Sequence, residues 1–369
     1  MTKAREGFRC FCILMYLMAG GGVSSAAVSA SEVASFHPDD HPDTAALVAE
    51  LSAEGLPQHW LHDVLARTSY RQEVLDAMDG AAERRLVWHE YRNIFLKEER
   101  IEQGADFMRL HLPTLERASQ QFGVPAEIIT AIIGVETYYG RFKGKHPVLD
   151  SLATLGFHHP TRGAFFRGEL AAMLEIAFEQ GVDPTELRGS YAGAMGYPQF
   201  IPTSYQAYAI DFDKDGIRDL WNNPVDAIGS VANYFAEHNW KAGEPIYQQA
   251  EGPQSPPDTI EFNQSSTPTL TLNDVMEVGI TPQGQGAEAF MSDPERRVVP
   301  LYLHISDVEQ DYRLGGFNFY VIMRYNHSHL YAMAVTELAQ AIAEKAAVKD
   351  AGILKAINGD DMVSERDVQ

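Results

Sequence analysis

Ala131-Ile132-Ile133-Gly134-Val135-Glu136-Thr137-Tyr138-Tyr139-Gly140-Arg141 places one carboxylate at the end of an apolar run. Upstream, Pro125 suits the first turn of a helix, where no intrahelical hydrogen bond is donated. Ile128, Ile129, Ile132 and Ile133 recur at helical spacing, and Gly140 can close the helix in a left-handed cap. Glu136 lies three and four positions past Ile133 and Ile132, so it shares their apolar face. A carboxyl there loses solvation and its pKa should rise, as a general acid at neutral pH requires. A Glu at the rim of a packed helix, hydrogen-bonded to a neighbour, fits this segment equally well.

Working outward, residues 43–105 read as several helices, broken at Gly55-Leu56-Pro57. Residues 106–122 continue as a helix bent at Pro113, a third run covers roughly 164–179, and 226–236 resumes a helix. Between 241 and 296 Pro, Gln, Ser, Thr and Gly dominate, which suits a small β-rich insert or a linker. Val299, Leu301, Leu303 and Ile305 alternate with Pro300, Tyr302 and His304, a strand pattern. Helix returns over 317–347. The expected division is 1–30 signal peptide, 31–105 leader and helical domain, 106–243 catalytic core, 244–313 β-rich domain, 314–347 completing helices and 348–369 tail.

The first 30 residues have the order of an export signal: basic Lys3, Arg5 and Arg9, apolar Phe11 to Ala19, then Val28-Ser29-Ala30 as a cleavage site. No cysteine follows the apolar run, so no lipid attachment site is expected; the two cysteines, Cys10 and Cys12, would be removed with the signal. The whole chain of 369 residues carries −22, and its first 30 carry +2, leaving −24 after cleavage. That charge disfavours nucleic acid and anionic lipid as partners.

Two further stretches carry candidate chemistry. Gly189-Ser190-Tyr191-Ala192-Gly193-Ala194-Met195-Gly196-Tyr197-Pro198-Gln199-Phe200-Ile201-Pro202 combines small residues with Ser190 and Gln199, which can hydrogen-bond hydroxyls or amides. A tight structural crossover would use Gly and Pro in the same way. Asp211-Phe212-Asp213-Lys214-Asp215-Gly216-Ile217 sets acids at positions 1, 3 and 5 and Gly at 6 of an EF-hand-like loop, with Ile217 offering its carbonyl. Asn222 replaces the usual Glu at position 12. Ca2+ is the expected ion, Na+ the alternative, and a solvated acidic turn the reading without an ion; no organic cofactor is expected. The pairs His158-His159 and His327-x-His329 lack a third ligand at zinc-site spacing, so capping and surface polar roles suit them better.

Gly134-Val135-Glu136-Thr137, the 190–202 segment, Val225 to Tyr234, Phe319-Tyr320 and Arg324-Tyr325-Asn326-His327-Ser328 together resemble the membrane-bound lytic murein transglycosylase B family. The resemblance covers most of residues 90–340 and is weaker in the insert. It implies an α+β, mainly helical fold: a lysozyme-like core, a surrounding helical domain and a small β domain. It implies cleavage of the MurNAc-β-1,4-GlcNAc bond of peptidoglycan without water, giving 1,6-anhydroMurNAc ends. By the same resemblance Glu136 is the acid and later the base. Ser190, Gln199, Tyr234, Tyr325, Asn326 and Tyr331 match glycan-site positions, Tyr91 another aromatic wall, and Arg162 a basic position near the peptide stem. Thr161 and Phe165 depart from the Arg and Tyr expected beside it. Asp226 would close the calcium site, with one residue more before it than the pattern has. The expected member is periplasmic and non-lipidated. A hydrolytic muramidase on the same scaffold and a non-catalytic peptidoglycan-binding protein are the alternatives.

Overall fold

The computed structural model describes residues 36–81 and 86–364, with side chains for all of these except 80, 81 and 350–364. The signal-peptide reading of 1–30 lies outside the described residues. The helices run α1 (Pro42–Ala53), α2 (Gln58–Ala66), α3 (Gln72–Ala81), α4 (Trp88–Phe95), α5 (Glu98–Leu110), α6 (Leu112–Phe122), α7 (Ala126–Thr137), α8 (Val148–His158), α9 (Gly163–Gln180), α10 (Pro202–Tyr208), α11 (Pro224–Glu237), α12 (Leu272–Glu277), α13 (Ala287–Met291), α14 (Phe317–Tyr325) and α15 (His329–Ser364). The strands are β1 (His146–Pro147), β2 (Arg188–Gly189), β3 (Tyr247–Glu251), β4 (Leu270–Thr271), β5 (Thr281–Pro282), β6 (Arg297–His304) and β7 (Gln310–Gly315). No described helix is long and apolar enough to cross a membrane.

The chain forms two units. One holds the described residues up to 81 together with 140–230. In it Asp150 of α8 accepts from the Ser69 N–H at 3.0 Å and from Arg71 at 2.8 and 2.9 Å, which fixes the entry to α3. Glu169 of α9, almost fully buried, accepts from the Thr203 N–H at 3.0 Å and hydroxyl at 2.7 Å. It thereby satisfies a donor left open at the N-terminus of α10. Burial raises the Glu169 pKa despite those bonds.

The other unit comprises 86–139 and 231–364. Helix α7 is apolar nearly all round, so it is enclosed: Ile128, Ile129, Ile132 and Ile133 are all buried. It packs on α5 and α15. A five-stranded antiparallel sheet, ordered β4-β6-β7-β3-β5, carries its own core of Leu272, Val275, Phe290, Val298 and Leu314. Its central register pairs Leu301 with Arg313 and Leu303 with Asp311. Arg313 in turn bonds Glu337 of α15 at 2.7 Å, and Arg92 of α4 bonds the other oxygen of Glu337 at 2.6 Å.

Three local expectations shift. The run 106–122 is two helices, because Pro113 sits in the first turn of α6 and the chain breaks at His111. The segment from 348, expected as a tail, continues α15 as helix to Ser364. Helix α7 stops before Gly140: Tyr138 and Tyr139 already adopt left-handed φ of 52° and 59°.

Candidate functional site

Glu136 stands in the last turn of α7, half-buried. Tyr331, in the first turn of α15 and only 1% exposed, donates its hydroxyl to Glu136 Oε1 at 2.7 Å. This bond pairs residues 195 positions apart and orients the carboxyl.

The end of α7 is held firmly just beyond this residue. Left-handed backbone costs a non-glycine residue on the order of 1 kcal/mol or more and needs surrounding support. Tyr139 supplies some by donating to the Arg100 carbonyl at 2.9 Å. The Arg100 guanidinium lies over the Tyr138 ring at 4.6 Å and the Phe95 ring at 5.1 Å, and it donates to Gly134 O at 3.1 Å. Loss of hydration depresses the Arg100 pKa, and its Nε has no hydrogen-bond partner. Arg100 was not singled out by motif. Its signal is positional: Arg100, Gly104 and Phe107 share the inward stripe of α5, where a cation is conspicuous.

Beneath Tyr331 the aromatic residues form a layer. Tyr325 and Tyr331 are near-parallel, 6.4 Å between centroids and 10° between planes. Tyr234 packs on Tyr325 at 4.7 Å and donates to Arg324 O at 2.6 Å. His238, another residue missed by motif, stacks on Tyr234 at 4.1 Å and contacts Tyr234 O through Nδ1 at 2.7 Å. It lies one helical turn after Tyr234, the spacing at which side chains meet. Tyr234, Tyr325 and Tyr331 are all buried, so they are a supporting layer more than an open stacking face. Asn326 caps α14 and is half-buried. Tyr91 is buried too, packed on Phe95 at 5.3 Å.

In the 140–230 unit the Gly-rich segment folds on itself. Ser190 N–H bonds Ala194 O at 2.8 Å, and Met195 N–H bonds Phe200 O at 2.8 Å. Ser190 Oγ accepts from the Ala192 and Ala194 N–H groups at 3.3 and 3.0 Å, leaving its own O–H to donate. Gln199 occupies left-handed backbone at φ 50° and is nearly buried. Its amide nitrogen donates to Gly196 O at 2.9 Å and Lys143 O at 3.3 Å. Gly196 is required at φ 69°, since a Cβ there would meet Leu220 O at 2.3 Å. Arg162 precedes α9 and lies over Phe165 and Phe166 at 4.8 and 4.9 Å. His159 Nδ1 accepts from the Thr161 and Arg162 N–H groups, a capping role as expected. His329, half-buried at the start of α15, has its pKa lowered to about 4 by desolvation.

The acidic loop brings Asp211, Asp213 and Asp226 together, one carboxylate oxygen from each lying within 4.8 Å of the others. Asp226 is fully buried on α11, accepts from the Phe212 and Asp219 N–H groups at 2.7 and 2.9 Å, and has its pKa raised by desolvation. Asp211 accepts from Gly216 N–H at 2.8 Å, so position 1 braces the turn at position 6. Asp215 is not in the converging set; it accepts from Ile217 N–H at 2.8 Å, and Ile217 is 52% exposed. Phe212 docks against α11 at Gly229, where a Cβ would come within 2.4 Å of the ring. Three convergent carboxylates, one of them buried, repel one another and lose hydration unless a cation is shared, so the donor set fits a hard cation with oxygen ligands.

The chain matches the family described as Transglycosylase SLT domain over residues 39–340. It is 40% identical over 305 residues to membrane-bound lytic murein transglycosylase B of Escherichia coli (strain K12), covering 79% of this chain and 80% of that protein. Soluble lytic transglycosylase SltB1 of Pseudomonas aeruginosa superimposes with a TM-score of 0.76 at 43% identity, over 82% of this chain and 99% of that one. Lytic transglycosylase Slt35 of Escherichia coli, solved in complex with calcium, gives 0.75 at 37% identity, over 85% and 97%. Matches of this extent and identity show that the chain belongs to the transglycosylase SLT domain family.

Proposed function

We propose that the protein cleaves peptidoglycan glycan strands as a lytic transglycosylase, with Glu136 as the single acid and then base. The observation that carries this reading is the Tyr331 hydroxyl on Glu136 Oε1. It orients the carboxyl, which protonates the glycosidic oxygen between MurNAc and GlcNAc. The bond to C1 breaks, and the muramoyl N-acetyl oxygen stabilises the cationic carbon, as in substrate-assisted glycosidases. The C6 hydroxyl of the same sugar then attacks C1 while Glu136 takes its proton. The acid is regenerated, no water is consumed, and a 1,6-anhydroMurNAc end results.

In this reading the buried Tyr234, Tyr325 and Tyr331 hold the acid's surroundings rigid, while Ser190, Gln199 and Asn326 bind glycan hydroxyls and amides. Tyr91 acts as further support, and Arg162 serves an anionic peptide stem. Asp211, Asp213 and Asp226, with the Ile217 carbonyl and Asp215 at the loop's rim, hold Ca2+, or Na+ in its place. That ion neutralises the loop and stays outside the chemistry. The export signal read in residues 1–30 supports a periplasmic location.

Glu136→Gln keeps the size and hydrogen-bonding capacity of the side chain but removes the transferable proton. Release of soluble muropeptides from purified sacculi should fall by at least about 10²-fold, the usual contribution of a general acid, while sedimentation with sacculi persists. Residual turnover above that level would contradict the assignment.

A further inference from the structure

Two imidazoles and a carboxylate meet outside everything discussed so far. His37 and Asp39 lie in the stretch entering α1, and His62 is on α2. His62 Nε2 is 3.1 Å from Asp39 Oδ1, and His37 Nδ1 is 3.7 Å from Asp39 Oδ2. The two rings stand edge to face with centroids 4.9 Å apart. One donor atom from each residue lies within 4.8 Å of the others.

The donor set differs in kind from the acidic loop. Imidazole nitrogen suits zinc, copper and nickel, whereas carboxylates and carbonyls alone suit calcium and magnesium. The spacing also fits. A tetrahedral zinc with bonds of about 2.0–2.1 Å sets neighbouring ligand atoms about 3.3 Å apart. The imidazole nitrogens lie 3.1 and 3.7 Å from the two different oxygens of Asp39, near that length, so a turn of the exposed carboxylate brings one oxygen to both. Exposure of the side chains, 34% for His37, 37% for His62 and 73% for Asp39, leaves room for water to complete the coordination. Existing bonds compete: Asp39 N–H donates to His37 Nδ1 at 3.2 Å and His62 Nε2 bonds Asp39 Oδ1 at 3.1 Å, and a metal taken by these atoms displaces them.

We propose that His37, Asp39 and His62 form a binding site for a divalent cation of the zinc class, which staples the segment entering α1 onto α2. A surface His–Asp ion pair of the same geometry would need no metal, and it makes the opposite prediction. The experiment is calorimetric titration of Zn2+ into chelator-treated full-length protein at neutral pH. Saturating calcium is present throughout to occupy the acidic loop. The expected result is one zinc per chain and a rise in thermal midpoint. His62→Ala and, separately, His37→Ala should each weaken zinc binding at least about tenfold, since loss of even an outer partner of a metal ligand costs that much. Circular dichroism of both variants checks that they fold, and anomalous scattering at the zinc edge should place the ion among the three residues. Absence of zinc binding by the wild type, or unchanged affinity in His62→Ala, would overturn the proposal.

Discussion

Tyr331→Phe removes one hydroxyl and nothing else from the layer under Glu136. The ring remains, parallel to Tyr325 and 1% exposed, so packing is preserved. What is lost is a 2.7 Å donor to Glu136 Oε1. A hydrogen bond to a charged group contributes about 1.5–3 kcal/mol, and at about 1.4 kcal/mol per factor of ten this corresponds to a rate loss of roughly 10- to 150-fold. The loss should fall on kcat, because the carboxyl must be aimed in the transition state and the substrate surface is untouched. Turbidity clearance of sacculi, calibrated by chromatographic quantification of released muropeptides, measures it. Thermal denaturation of the variant serves as the control. A variant that folds normally and works within twofold of wild type would refute the positioning argument.

Calcium should raise the thermal midpoint of wild type by several degrees, since a ligand at 100 times its Kd adds about 2.7 kcal/mol to the folded state; Asp213→Ala should abolish that response, and an equal response in both proteins would move the ion elsewhere. The protein should also lose stability in acid through His329. Its pKa falls from the ordinary 6.5 to about 4 on folding, so above 6.5 both states are neutral and no penalty exists. As pH falls from 6.5 towards 4 the unfolded state takes a proton that the folded state refuses. At about 1.4 kcal/mol per pKa unit the cost reaches up to about 3 kcal/mol. The positive end of α15 adds to the disfavour for an imidazolium there. His329→Gln should flatten this slope in urea titrations run between those limits, and an unchanged slope would remove His329 as its source.

Much of the scaffold could be read in the sequence because its signals are local. Isoleucine spacing marks α7, the apolar run over 164–179 marks α9, and period-two alternation marks β6. The acidic loop was legible as Asp211, Asp213 and Gly216 at fixed offsets, yet its third converging carboxylate, Asp226, came from resemblance, since nothing in the spacing announces a buried acid on the next helix. The partner of Glu136 was equally hidden: Tyr331 reads as core at helical spacing, and only tertiary packing brings α15 onto α7. The left-handed pair Tyr138-Tyr139 ran against propensity, because Arg100 and its contacts on α5 outweigh the local preference for Gly140. The desolvation felt by the half-buried His329 was likewise not legible, since it depends on tertiary packing.

The central claim is that the substrate's own C6 hydroxyl, not water, closes the reaction at the carbon released by Glu136. Digestion of purified sacculi in H2(18)O, followed by mass spectrometry of the soluble muropeptides, tests it directly. The account predicts products one water lighter than reducing-end muropeptides and free of heavy oxygen. Reducing-end products carrying one (18)O at C1 would contradict it and establish hydrolysis on the same scaffold.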